Sequence, residues 1–183
     1  GYPLSTRFSV AGLRARLQRW AQNTRLPRAT GMRRQVVFCS VGGVDTRSAQ
    51  GWPQWDLLRQ MSDAMLSFYN DTVEMGVAGQ VTTYTESDFG RTLQPSGTGC
   101  DHGWGSHHLV LGGAVKGGDL YGTFPTMALG GPDDSSTRGA MIPTTAVDQY
   151  CGPKAKWFGF SAPAMPPGFP TMPNLARPGP RSP

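Results

Sequence analysis

The chain has 183 residues, enough for one domain with a buried core. Only 16% of its residues are charged, while glycine (25) and proline (16) are abundant, a composition rich in loops carried between buried elements. No run of about 18 apolar residues occurs, which excludes a membrane-spanning helix. The net charge of +5 is unevenly placed. Residues 1–44 hold Arg7, Arg14, Arg16, Arg19, Arg25, Arg28, Arg33 and Arg34 and no acid, whereas the remainder is net acidic. An acid-free, Arg-rich start suits nucleic acid, anionic lipid or a transit peptide. No aromatic-interleaved binding motif accompanies it, and the plainer reading is a solvated helix face. The chain opens on Gly1 without a signal-peptide core and reads as a fragment or processed product.

In chain order, Phe8, Val10, Leu13, Leu17, Trp20 and Ala21 recur at three-four spacing and predict a helix over 8–22, broken between Pro27 and Gly31. The apolar run 34–41 predicts a buried strand, followed by the loop Gly42-Gly43-Val44-Asp45-Thr46-Arg47 that Trp52-Pro53 closes. Leu58, Met61, Met65, Phe68 and Met75 mark one face of a helix over 55–75 that Gly76 stops; its methionines read as core filler. A second strand covers 81–86, then comes a loop over 93–106 and a third strand over 107–115. Residues 116–119 form a turn, and 124–143 are irregular. Thr145 is the expected cap of a last helix with Asp148 returning the bond, and Pro153 is expected to end it after about two turns. Residues 162–183 contain eight prolines and should be extended or disordered. The expected division is 1–160 as the folded part and 161–183 as a proline-rich tail.

All three histidines, His102, His107 and His108, lie within 98–113, where glycine density argues for a tight loop. Asp101 beside His102 in such a loop offers a divalent metal a carboxylate and an imidazole. The alternative is that these histidines are hydrogen-bonded strand-end residues. Asp45, Asp88 and the Asp101–His102 pair each follow a predicted strand. On neighbouring parallel strands they would converge in one crevice, where like charges need a cation. Any one of them alone suits a turn. The three cysteines match no zinc spacing. Cys39 reads as a small core residue, and Cys100 is a weak ligand candidate. Cys151-Gly-Pro-Lys-Ala155 lacks the arginine of the sulfatase formylglycine site and is set aside.

Phe38-Cys-Ser-Val-Gly-Gly-Val-Asp-Thr46, Thr85-Glu-Ser-Asp-Phe-Gly-Arg-Thr92, Gly99-Cys-Asp-His-Gly-Trp-Gly-Ser-His-His108, Gly112-Gly-Ala-Val-Lys-Gly-Gly118 and Ile142-Pro-Thr-Thr-Ala-Val-Asp-Gln-Tyr150 resemble consecutive signatures of one bacterial family. It is the domain-of-unknown-function family 1501, often called sulfatase-like, and the likeness runs from about Tyr2 to Gly159. The resemblance implies an α/β fold, part of an alkaline-phosphatase/sulfatase-like domain with a mainly parallel sheet. It also implies a longer parent, exported to the periplasm by a twin-arginine signal, whose amino-terminal half is missing here. By position it assigns Asp45, Asp88 and His102 to a divalent-metal centre (zinc, calcium, magnesium or manganese), with Asp101 and His107 as further ligands or supporting residues. Two departures bear on chemistry. Arg47 stands where the family usually has His, and with Arg91 it becomes a candidate for holding an anion. Phe89 stands where hydrolases of the superfamily commonly set a metal-binding His.

Three functions follow as expectations. The first is metal-dependent hydrolysis of phosphate or sulfate esters by the parent, with this chain alone inactive. The second is a non-catalytic exported module that keeps the fold and binds a small anionic ester, a glycan or a protein. The third is a basic surface for nucleic acid or lipid, for which no motif speaks.

Overall fold

The computed structural model describes Leu17 and residues 34–172. Apart from Leu17, the helix expected over 8–22 lies outside the described residues, as does the tail beyond 172. The elements are α1 (Gly51–Glu74), a 3-10 turn (Ala78–Gln80), β1 (Thr82–Tyr84), β2 (Gly90–Ser96), β3 (Gly99–Gly103), β4 (Val110–Gly112), α2 (Val147–Phe158), a second 3-10 turn (Ala162–Ala164) and the single turn α3 (Met165–Gly168). They fall into two units. One draws on the chain up to Thr85 with Pro95–Cys100 and Leu109–Ala114, the other on Glu86–Gln94, Asp101–His108 and everything from Val115.

The first unit is organised on α1. Its buried face carries Ala64, Met65, Phe68, Asp71 and Thr72, the three-four spacing of an amphipathic helix. Ala64 and Phe68 form a core with Leu17, and Cys39, Met75 and Val81 pack against it. Met65 and Phe68 are thus buried as the sequence predicts, while Leu58 stays 47% exposed. The hydroxyl of Thr72 donates to the Tyr69 carbonyl and that of Ser67 to the Asp63 carbonyl, which lets small polar residues share the buried face. The helix begins at Gly51, ahead of the Trp52-Pro53 pair expected to sit in a loop. Proline is tolerated there because the first turn's N–H groups have no partner within the helix.

The mixed α/β content is as expected, but the mainly parallel sheet is not. Two separate two-stranded sheets form, β1 with β4 and β2 with β3. β1 and β4 run antiparallel, pairing Thr82 with Gly112, Thr83 with Leu111 and Tyr84 with Val110. A parallel pair needs a crossover of a dozen or more residues, usually a helix. Here a hairpin separates β1 from β4, and a two-residue turn joins β2 to β3. Residues 34–41 form no strand, with Val36 77% and Phe38 85% exposed, so the run read as a buried partner for the sheet is absent from it. An apolar run becomes a central strand only where flanking strands and a covering layer take up its backbone and both its faces.

The glycine-rich stretch read as a loop is β3 and its surroundings. The turn at Gly97 (φ +62°) and Thr98 closes the hairpin. The glycines serve close backbone approach: a Cβ on Gly90 would lie 2.0 Å from the Gly105 carbonyl oxygen, and one on Gly103 2.7 Å from that of Arg91. In the second unit, Leu93 and Gln94 donate to the carbonyls of Gly139 and Arg138 at 3.3 and 3.0 Å, and Gly105 donates to that of Met141 at 2.7 Å. The irregular segment is pinned on Asp134, whose carboxylate accepts from the backbone N–H groups of Gly130, Ser136 and Gly139. Desolvation opposes its ionisation, but these donors and the Ser136 hydroxyl outweigh it and hold the carboxyl down to about 2.

Helix α2 runs through Pro153 to Phe158, contrary to the expected break. The clash that excludes helical backbone before a proline involves the preceding Cβ, and Gly152 has none. The cap is Ala146, with Gln149 Oε1 accepting from its N–H at 2.9 Å, in place of Thr145 and Asp148. Asp148 instead accepts from the backbone N–H of Thr171 at 2.9 Å, and the residues after α2 form two short helical turns where an extended chain was expected. No helix among the described residues is long and apolar enough to cross a membrane.

Candidate functional site

The predicted site residues fall into two groups. In the first unit, Asp45 follows no strand; it lies in the 42–47 loop with its Oδ1 3.4 Å from Nε of Arg47. Both side chains are more than half exposed, so the pair adds little stability, on the order of 0–1 kcal/mol. Thr46 between them is buried and donates to Gln54 Oε1 at 2.7 Å, tying the loop to the first turn of α1.

In the second unit the β2–β3 hairpin gathers Phe89, Arg91, Asp101 and His102. Asp101 and His102 lie within β3, not beyond a strand end. The His102 imidazole stacks flat on Phe89, with ring centroids 3.7 Å apart and planes 9° from parallel. Arg91 places its guanidinium carbon 5.3 Å from the centre of the Phe89 ring. Asp101 Oδ2 is 3.3 Å from an Arg138 guanidinium nitrogen, and its backbone N–H donates to Thr92 Oγ1 at 3.2 Å. Asp88 is exposed in the link between β1 and β2, one residue from Phe89. His107 takes no part in this group; its ring is tilted against Phe124, 5.0 Å away.

A divalent ion needs three or four donors about 2 Å from one point. Among the described residues no three of His, Cys, Asp and Glu are gathered in that way. Asp45 and Asp101 each have a guanidinium within 3.4 Å, which supplies the positive charge a metal would bring. The described side chains therefore do not make a metal centre by themselves. What the hairpin presents is cationic and aromatic. A guanidinium has five N–H donors in a planar fork suited to phosphate and sulfate oxygens, and an imidazole adds one or two.

Arg138 gave no signal in the sequence, because only the packing of 138–141 beside β2 brings it to Asp101. A second cluster also went unread. Cys151 Sγ donates to Glu86 Oε1 at 3.1 Å, and the Lys154 ammonium sits over the Tyr150 ring, 3.0 Å from its centre, and donates to the Tyr150 carbonyl. His108 lies tilted against the same ring, 5.2 Å away. Burial pushes the Lys154 ammonium down to about 8, against the pull of Cys151 and Glu86. Burial and the Glu86 carboxylate push the Cys151 thiol up to about 11. Burial also lowers His108, with Lys154 and His107 adding to the shift and Glu86 opposing it.

The profile of the family described as a protein of unknown function, DUF1501, matches residues 21–146, most of the chain. The chain belongs to that family. The DUF1501 match spans the 42–47 loop, both sheets and the Phe89–His102 stack, and it stops just before α2. No curated protein and no solved structure matches the chain.

Proposed function

We propose that this chain is a binding module of an exported, sulfatase-like DUF1501 protein, that it holds small phosphate or sulfate esters, and that it does not turn them over alone. The observation that carries this reading is the Phe89–His102 stack. The resemblance to the superfamily puts a metal-binding imidazole at position 89. Phe89 there touches His102 but has no donor atom, and the neighbouring charges are Arg91 and the Asp101–Arg138 pair. The Arg91 guanidinium suits an oxyanion, and neither it nor the Phe89 ring can ligate a metal. Arg91 is the cation assigned to the anion at the hairpin, and Arg47 is an independent candidate in the first unit.

Titration calorimetry of the full chain with inorganic phosphate and with sulfate tests the reading. Saturable binding that weakens with salt and is lost in Arg91→Ala is expected. Unchanged affinity in both Arg91→Ala and Arg47→Ala refutes it. Nitrophenyl phosphate and nitrophenyl sulfate, with added zinc, magnesium, manganese or calcium, should show no turnover above the metal-only blank. Saturable turnover abolished by Asp45→Ala and His102→Ala would restore catalysis to this chain.

The second reading is metal-dependent ester hydrolysis by a longer parent. It is favoured by Asp101 and His102 side by side in β3, with Asp88 in the link that leads into β2, and it needs further donors. Metal analysis of the unchelated parent protein decides it, and a metal-free parent rules it out.

A further inference from the structure

We propose that the outer face of α1 is an interaction surface whose partner is a second copy of this chain, the two helices lying antiparallel about a two-fold axis. The face of α1 that packs on the core repeats at three-four spacing, and a second stripe with that spacing runs along the opposite side. It consists of Trp52, Trp55, Arg59, Ser62, Leu66 and Val73, all of them exposed. Trp52, Arg59, Leu66 and Val73 follow one another at seven-residue steps, with Trp55 and Ser62 between them. That is the repeat by which one helix presents a seam to another. A face that meets only solvent is polar, whereas both ends of this stripe are apolar.

The exposed area suits a weak, specific dimer. Trp52 is 72% exposed, Trp55 53%, Leu66 56% and Val73 52%. An aromatic side chain carries about 150–250 Å² in all, so the two indoles leave about 200–300 Å² in water. Leu66 and Val73 add about 60–130 Å² more. Two copies remove about twice that total. With Arg59, Ser62 and the flanking groups the pair reaches the roughly 1,000 Å² at which a specific interface begins. Tryptophan and arginine are also the side chains that most often anchor the centre of an interface.

The stripe selects the direction of pairing. Arg59 is fixed within its own chain: its guanidinium carbon lies 5.7 Å from the centre of the Trp55 ring, and its nitrogens donate to Asp56 Oδ1 at 2.7 Å and Asp63 Oδ2 at 3.1 Å. Trp55 in turn rests against Trp52, with ring centroids 4.9 Å apart. A parallel pair would set Arg59 against Arg59 and the tryptophans against each other, leaving the slimmer Leu66–Val73 end poorly filled. In an antiparallel pair, Arg59 of one copy beside Ser62 of the other puts Trp55 opposite Leu66 and Trp52 opposite Tyr69. The guanidinium then meets a hydroxyl that can accept from it, and the two helix dipoles oppose. A two-fold axis makes every one of these contacts twice.

Sedimentation velocity of the full chain, from about 1 to about 200 µM, tests the proposal. A monomer–dimer equilibrium with dimer prevailing at the top of that range is expected of a seam this size. The double variant Trp52→Ala, Trp55→Ala and the single variant Leu66→Lys should each weaken dimerisation about tenfold or more, with an unchanged circular dichroism spectrum. The two variants guard against a loss of fold in either. Leu120→Ala removes a highly exposed apolar side chain away from α1 and should leave the dimer intact. For direction, chains carrying Gly51→Cys are mixed with chains carrying Asn70→Cys and joined by a short bismaleimide, and peptide mass spectrometry locates the bridges. Bridges from residue 51 to residue 70 are expected. A chain that stays monomeric at about 200 µM, open-ended aggregates in place of a dimer, dimerisation indifferent to both stripe variants or lost equally in Leu120→Ala, or bridges only between like positions each overturns the proposal.

Discussion

Gly90→Ala isolates the close backbone approach on which the hairpin stands. A Cβ at this position lies 2.0 Å from the Gly105 carbonyl oxygen, 2.9 Å from its carbon and 3.4 Å from the Trp104 oxygen. Ordinary carbon–oxygen contacts begin at about 3.3 Å, so the backbone has to open by roughly 1 Å. No side chain can rotate aside, because each neighbour is main chain. Two hydrogen bonds are strained by that opening, Gly90 N–H to Trp104 O at 3.2 Å and Gly105 N–H to Met141 O at 2.7 Å. At about 0.5–1.5 kcal/mol each, with about 1–3 kcal/mol for overpacking, the expected loss is about 2–6 kcal/mol. Urea unfolding followed by circular dichroism measures it, with Gly117→Ala as control, since a Cβ there meets nothing within 4 Å. The control should stay within about 0.5 kcal/mol of the parent. The His102 ring resonances should also lose the upfield shift that stacking on Phe89 imposes. A Gly90→Ala protein within about 0.5 kcal/mol of the parent refutes the packing argument.

Pro153→Ala should stabilise the chain by about 1–3 kcal/mol, because it restores an N–H donor and relieves ring crowding inside α2; a lower unfolding midpoint would show that the proline is required. Asp134→Asn should loosen the 130–139 loop. The folded pKa of Asp134, about 2, is below its ordinary 3.8, so its stabilisation is present above about pH 4 and is lost as pH falls toward 2. Acid unfolding of Asp134→Asn should therefore depend less on pH across that window, and an unchanged profile would count against the loop's dependence on this carboxylate. Lys154→Met should raise stability at pH 7, since the penalty of a buried ammonium is fully present below about pH 8 and fades as pH rises toward 10.5; equal midpoints at pH 7 would argue that the seat is not desolvated.

What the chain determined by itself is local. The three-four spacing of Met61, Met65, Phe68 and Met75 announces α1, because a helix's faces follow from side-chain period alone. The motifs shared with DUF1501 were equally legible, as was the irregular character of 124–143. Strand pairing was not, because period-two apolarity says that a segment suits a sheet but not which neighbour will take its hydrogen bonds. Residues 34–41 thus read as a strand and form none, while Gly99–Gly103 read as a loop and pair with β2. Glycine carries two opposite meanings, flexibility and close approach, and only the position of the facing backbone distinguishes them. The same holds for charge. Asp101 and His102 are visible as ligand types in the sequence, but whether a carboxylate meets a metal or Arg138, and an imidazole a metal or Phe89, depends on segments dozens of residues away that only tertiary packing brings alongside.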